Sequence, residues 1–319
     1  MLNERVKGSK KGKRFRLSCL GLVLLLVGGL VLGGLLWWRV GATRPPTNVL
    51  LFDLYAQPEE GRAVRSDTMI LVAVYPSDPR ILLLSIPRDL YVEIPELGPD
   101  RIDSAHFWGE LCGAEMQVED FGPVLTAQTV AQNFGVPIYH YVRADYDGFP
   151  FIVDMIGGID IVVKEPLVDH AYPSDPPGTE LVEIPAGPQH MNGRIALHYA
   201  RSRYHSADFD RFERQKQILM AIANRLFSSR AWRKLPNIVQ IVGDSIDTDL
   251  TFTEMMLLVP TLLRVGVDGI EYYEINQEMT MPGTSPNGES VRLPRWEAIH
   301  PLMQELFAVE NSAVAIASP

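Results

Sequence analysis

The chain has 319 residues and a net charge of −10, but the charge is unevenly divided. Residues 1–16 hold seven basic side chains and one acidic one, leaving 22 basic and 38 acidic in the remainder. So acidic a body excludes nucleic acid as its general partner. Of the two cysteines only Cys112 lies beyond the apolar N-terminal run, which excludes an intramolecular disulfide in the body. No Walker loop, GxGxxG, GxSxG, HExxH or metal-binding Cys/His spacing is present.

Residues 17–38 (LSCLGLVLLLVGGLVLGGLLWW) carry no charge and are long enough for the roughly 30 Å hydrocarbon core of a bilayer. The basic cluster ahead of them predicts a cytoplasmic N-terminus and an exported body. The expectation is an uncleaved single-pass anchor in the cell membrane, with cleavage near Val40-Gly41-Ala42 as the alternative. Residues 39–46 read as a linker, 47–230 as the main domain and 231–319 as a C-terminal α/β extension packed on it. Strands are predicted at 48–54, 68–75 and 80–86, the last two with apolar residues nearly throughout, as in central strands covered on both faces. Then follow a helix over 123–134, a strand over 138–144, a helix over 146–155 closed by Gly157-Gly158, and a strand over 159–163. Residues 164–188, rich in proline and acids, read as a long loop. Helices over 192–200 and 211–228 come next, then helices near 234–242, 252–264 and 295–307 and a strand over 270–275. Strands and helices alternate, so the fold class is α/β, a central mainly mixed β-sheet flanked by helices and preceded by one transmembrane helix.

The densest chemistry lies between Arg201 and Gln215: four arginines, three carboxylates and a glutamine in fifteen positions. Leu219, Ile222 and Leu226 form a core-facing helical stripe, and Arg211 and Gln215 continue it one turn too far. Two polar groups on that stripe either meet buried partners or line a pocket. A helix start with converging guanidinium groups suits a phosphate. Asp210 with Glu213 fits a capping box, and Arg214 is placed on the solvated face. Two strand ends add to this: Pro87 stops the strand at 80–86 and Arg88-Asp89 follow, where ligands of α/β sheets lie, while Arg65-Ser66-Asp67 open the strand at 68–75.

The motifs occur in a specific order: Arg65-Ser66-Asp67-Thr68-Met69, Ser85-Ile86-Pro87-Arg88-Asp89, His140-Tyr141-Val142, Asp147-Gly148-Phe149, Gly157-Gly158-Ile159-Asp160, Gly187 to Gly193, Tyr199-Ala200-Arg201-Ser202-Arg203 and Asp208 to Gln215. This order resembles the LytR-CpsA-Psr (LCP) family over about residues 47–230. The resemblance implies a magnesium-assisted transferase that moves a glycopolymer phosphate from a polyprenyl-pyrophosphate carrier to a cell-wall acceptor, typically peptidoglycan. It implies that Arg88 contacts the pyrophosphate and is central to catalysis. Arg65, Arg201, Arg203, Arg211 and Gln215 are implied as further phosphate ligands, and Arg101 stands where the family often has a basic residue. Asp67 is implied as a magnesium ligand and Asp208 as the acid that orients the arginines.

One departure stands out. The family ends its first strand with Gly-x-Asp, and that Asp is the second magnesium ligand. Here Tyr55 takes the Asp place and Asp53 the Gly place. A neutral phenol is a poor magnesium ligand, but Asp53, two residues earlier, shares the face. Either Asp53 substitutes through water, or the metal site is weakened and the chain binds lipid pyrophosphate without transferring it. A transcriptional attenuator is a third reading, poorly matched to an exported acidic body. The polyprenyl tail needs an apolar cleft; Phe149, Phe151, Ile152 and Ile156 are candidates, against the commoner role of such a helix face in a core.

Overall fold

The computed structural model describes residues 19–54, 68–145, 148–174, 178–202, 208–227 and 246–307; the side chains of 19–30, 54, 144–145, 173–174, 208–212 and 226–227 are outside that description. Helix α1 covers Cys19–Ala42. Among the described residues no helix is long and apolar enough to cross a membrane; of α1, only the side chains of 31–42 are included.

A six-stranded mixed sheet forms the centre, in the order β11-β6-β1-β2-β3-β12. Its strands are β1 (Thr47–Leu54), β2 (Met69–Tyr75), β3 (Arg80–Ser85), β6 (His140–Asp145), β11 (Ile246–Thr248) and β12 (Ile270–Glu274). β1 pairs with β6 and β3 with β12 in parallel, whereas β2 and β11 run against their neighbours. The carboxyl ends of β1, β3, β6 and β12 therefore share one edge with the start of β2. Leu50, Phe52, Leu71, Ala73, Leu82 and Leu84 bury one face against α3 (Phe121–Phe134) and α8 (Trp296–Leu306). Helix α7 (Phe252–Val265) packs on β2 and β3. On the other face Leu51, Val72 and Leu83 stay only half-buried.

A second core joins α4 (Gly148–Met155), β7 (Ile159–Val163), β8 (Leu167–Ser174), β9 (Gly178–Ile184), β10 (Gly187–Met191), α5 (Gly193–Arg201) and α6 (Asp208–Phe227). The stretch expected to be a loop over 164–188 is mostly the β8–β9 hairpin, whose two-stranded sheet has no further neighbours to demand the N–H that proline lacks. Its buried positions are Leu167, Asp169, Tyr172, Val182 and Ile184, with a register shift between Asp169 and Tyr172 that breaks strict alternation. Residues between β3 and α3, given no element by the sequence, form the hairpin β4 (Tyr91–Ile94) and β5 (Gly98–Arg101) and helix α2 (Ser104–Met116). Gly109 looks like a helix breaker, but a Cβ there would stand 2.6 Å from Gly122 Cα, so it is what lets α2 and α3 approach. The remaining hairpin is β13 (Thr280–Thr284) with β14 (Ser290–Pro294). The helix expected near 234–242 lies outside the described residues.

α2 buries a titratable group under the sheet. His106 is buried with its ring 5.6 Å from that of Phe52, and its Nε2 stands 3.3 Å from Arg143 Nη1. Burial, then the Arg143 charge, lower its pKa to about 4. Glu110 also touches the ring nitrogen at 3.5 Å, but it is largely exposed and shared with Arg143. The unfolded chain, with His106 near its ordinary 6.5, binds the proton first as pH falls. Stability should therefore drop by roughly 3 kcal/mol between pH 6.5 and 4 through this group alone. Thermal unfolding of the wild type and His106→Gln across that range should diverge by this amount. Parallel curves would show that His106 titrates alike in both states.

Candidate functional site

The edge where β1, β3 and β12 end is crossed by α6, and its side chains radiate to three neighbours. Gln215 Nε2 donates to Thr68 Oγ1 at 3.1 Å. Thr68 donates its N–H to Asp53 Oδ1 at 2.6 Å, and Asp53 N–H returns a bond to Thr68 O at 3.3 Å. Asp53, the start of β2 and α6 are thus joined in one chain of hydrogen bonds. On the next face of α6, Lys216 lies over the Tyr272 ring at 4.9 Å and pairs with Glu213 at 3.6 Å. Burial pushes Tyr272 up to about 12. Burial, then the Glu213 charge, raise the Glu274 carboxyl above its usual range.

Arg214 corrects the sequence reading. It is 7% exposed rather than solvated. Its Nε donates to Tyr199 O at 2.9 Å, and Nη2 donates to Ser202 O. The last carbonyls of α5 have no intrahelical donors, and a cation suits that end of the dipole. Ser202 in turn donates to the buried carboxylate of Asp169 at 2.7 Å. The buried stripe of α6 runs through Arg214 and Ile218 rather than through Leu219, one position round from the expected one. α6 begins at Asp208, so Asp210 and Glu213 lie inside the helix rather than forming a cap and its partner. Arg201, the last residue of α5, places its guanidinium carbon 5.7 Å from the Tyr172 ring centre.

The turn carrying Arg88 is fixed from three directions. Ile86 N–H donates to Met69 O at 2.9 Å, Asp103 N–H to Arg88 O at 3.1 Å, and Arg292 N–H to Asp89 O at 2.8 Å. Arg292 also sets its Nε 3.7 Å from Asp89 Oδ2. Arg101 is held at the same place by Asp103, with Nε–Oδ1 at 3.1 Å and Nη2–Oδ2 at 2.6 Å. Burial opposes the charge on Arg101, but the bond and charge of Asp103, with Asp89 and Glu289, outweigh it and raise its pKa.

Of the residues singled out from the sequence, Asp53, Arg88 and Gln215 share this edge, and α5 brings Arg201 towards it through the Ser202–Arg214 contact. Arg101 adjoins the Arg88 turn but directs its fork at Asp103. Arg65, Asp67, Arg203 and Tyr55 lie outside the described residues, as do the side chains of Asp208 and Arg211, whose backbones open α6. Arg214, Asp169, Asp103 and Arg292 were missed as supports. The partners of Arg214, Asp169 and Arg292 are distant in sequence, whereas Asp103 pairs with Arg101 only two residues away. Of the apolar cleft candidates, Ile156 is buried, Phe149 packs against the second core and Phe151 is exposed.

Magnesium prefers hard oxygen ligands. Asp53 supplies a carboxylate held by the Thr68 N–H, and among the described residues no three His, Cys, Asp or Glu side chains converge. That set fits an ion whose shell is completed largely by phosphate and water.

Comparison with known proteins shows the family and the fold. The sequence profile of the LytR_cpsA_psr family matches residues 38–300. The polyisoprenyl-teichoic acid–peptidoglycan teichoic acid transferase TagU of Oceanobacillus iheyensis is 30% identical over 247 residues, 72% of each chain. The crystal structure of Bacillus subtilis TagV superposes with a TM-score of 0.65 at 28% identity, covering 82% of this chain and 97% of that one. The structure of TagT bound to LIIa-WTA shares the fold, with a TM-score of 0.63, 22% identity and coverage of 85% and 93%.

The Arg101–Asp103 pair is open to a double-mutant cycle. Arg101→Ala and Asp103→Ala should each lower stability, with a coupling of about 1–3 kcal/mol for a half-buried, two-pronged ion pair. Additive losses in denaturant unfolding would leave Arg101 uncommitted to Asp103.

Proposed function

The chain belongs to the LytR-CpsA-Psr family, and from that premise we propose that it is a membrane-anchored phosphotransferase. It moves a glycopolymer phosphate from a polyprenyl-pyrophosphate carrier to a cell-wall acceptor such as peptidoglycan. The observation that carries this reading is the hydrogen-bonded edge at which Asp53, Thr68 and Gln215 meet, with the Arg88 turn bonded to the first residue of β2. α1 is the anchor, with its N-terminus cytoplasmic and the body outside the cell membrane.

In this reading Arg88 grips the pyrophosphate, aided by Arg65, Arg201, Arg203, Arg211 and Gln215, with Arg101 adding charge from behind Asp103. Asp208 orients the arginines. An acceptor hydroxyl attacks the glycopolymer-bearing phosphorus and releases its proton to solvent, the bond to the bridging oxygen breaks, and polyprenyl phosphate leaves with the electron pair. The arginines neutralise charge that spreads over the phosphate oxygens, which is most of what such a transfer asks of a protein. Asp67 and Asp53 would hold magnesium, which would supply further neutralisation when bound. The half-buried strip of Leu51, Val72 and Leu83 supports an apolar path for the tail. Asp53 lies two residues beyond Leu51, on the same face. A second reading, lipid-pyrophosphate binding without transfer, is favoured by one fact: Asp53 Oδ1 already accepts the Thr68 N–H.

Transfer of labelled glycopolymer onto peptidoglycan tests the role of Arg88. Arg88→Ala should cost about a hundredfold or more with little change in thermal stability. Arg88→Lys should recover little, because an ammonium cannot reproduce the fork. Activity lost only in proportion to unfolding would make Arg88 structural.

Magnesium titration separates the two readings. If Asp53 substitutes for the missing carboxylate, Asp53→Ala loses affinity and Tyr55→Asp adds little. If the site is weakened, Tyr55→Asp tightens binding to the free protein and raises transfer. Equal affinity in wild type and both variants would remove the end of β1 from the metal site.

A further inference from the structure

Helix α7 carries an apolar stripe that no described element covers. Phe252, Met255 and Leu263 are exposed, and Val259 and Leu262 half-buried. Their spacing puts all five on one side of the helix, opposite the buried Thr261. The helix start is well built: Thr251 accepts from Glu254 N–H, and the Glu254 carboxylate folds back onto the Thr251 N–H at 2.9 Å. The one acid of α7 is thereby turned onto its own cap.

α1 docks along the flank of α7. Trp37 Nε1 donates to Met256 O at 3.2 Å. Gly41 lies so close that a Cβ there would stand 2.6 Å from Pro260 Cγ and 2.8 Å from Leu257 O. The outer side of α1 exposes Val31, Leu32, Leu35, Leu36 and Trp38. The two apolar surfaces adjoin, and exposed Arg39 and Arg264 stand at their rim, with exposed Asp249 and Asp268 just beyond the two ends of α7. A surface apolar in the middle, polar and charged at the rim and adjoining an apolar helix fits the headgroup region of a bilayer.

We propose that α7 is a membrane-interface helix, its stripe seated among the lipid headgroups where α1 enters the bilayer. The proposal rests on the reading of α1 as the anchor. It also fixes the orientation of the body. Arg264 at the end of α7 donates to Pro76 O in the β2–β3 turn at 2.8 Å, which is the sheet edge opposite Asp53, Thr68 and Arg88. With β2 seven residues long, the phosphate site stands roughly 20 Å above the headgroups.

The test uses the full chain with Cys19→Ser and Cys112→Ser, reconstituted in phosphatidylglycerol-containing nanodiscs. An environment-sensitive fluorophore is placed by Leu35→Cys, Phe252→Cys, Met255→Cys or Leu97→Cys, the last in the β4–β5 turn. Brominated lipids should quench labels at 35, 252 and 255 and leave 97 unaffected. Quenching at 35 but not at 252 or 255 would overturn the interface helix while leaving the anchor intact. No quenching at 35 would remove the anchor, and with it this proposal. Labels at 252 and 255 that resist both brominated lipid and aqueous iodide would show that protein, a second copy or another part of the chain, covers the stripe, and would overturn it too.

Discussion

The site edge depends on two guanidinium groups beneath it, one buried and one half-buried. α6 must cross the ends of the strands at a fixed height and rotation for Gln215 to reach Thr68. Arg214 sets this by donating to Tyr199 O and Ser202 O at the end of α5, and Arg225, three turns on, does the same to Ile156 O and Gly157 O at the end of α4. Each arginine satisfies carbonyls that a helix end leaves without donors, and each adds a cation where the dipole is negative. Removing either would strand carbonyls inside the second core, an expensive loss. The helix that presents the candidate phosphate ligands is therefore clamped by charges on its other side. Such a division leaves Gln215 free to reach Thr68 while α6 stays put.

The sheet adds a direction. Because β1, β3, β6 and β12 run the same way, loops that carry polar chemistry gather at one edge, while the β2–β3 turn and the start of β1 occupy the other. β11 and β12 bring chain from beyond residue 245 to the two margins of the sheet, and β14 supplies Arg292 to the Arg88 turn. The C-terminal residues thus add to the hold on a turn that Pro87 and the Leu90 N–H to Pro87 O bond already close.

The long apolar strands were legible because burial on both faces leaves an uninterrupted run, and the α/β class followed from their alternation with helices. The α2 helix was not, since Gly109 and Gly113 read as breakers until α3 is placed against them. The β8–β9 hairpin hid behind prolines and acids that an isolated hairpin tolerates. Within the site, the sequence isolated polar residues on an apolar stripe but misjudged which one was buried: Arg214 looks solvated until α5 supplies the carbonyls it satisfies. Arg292 left no local trace, because its partner Asp89 lies far away in the chain.

The departure at the end of β1 has a structural consequence beyond the metal. In place of a glycine, Asp53 uses its carboxylate to bind the backbone of Thr68, the residue that follows Asp67. A side chain with that task ties the end of β1 to the start of β2. Deprived of its charge, as in Asp53→Asn, the bond to Thr68 N–H keeps an oxygen acceptor while the anion is lost. The geometric and the electrostatic roles of this position are therefore separable in one substitution. A carboxylate needed only as a tie tolerates the amide, and one needed to face a cation does not.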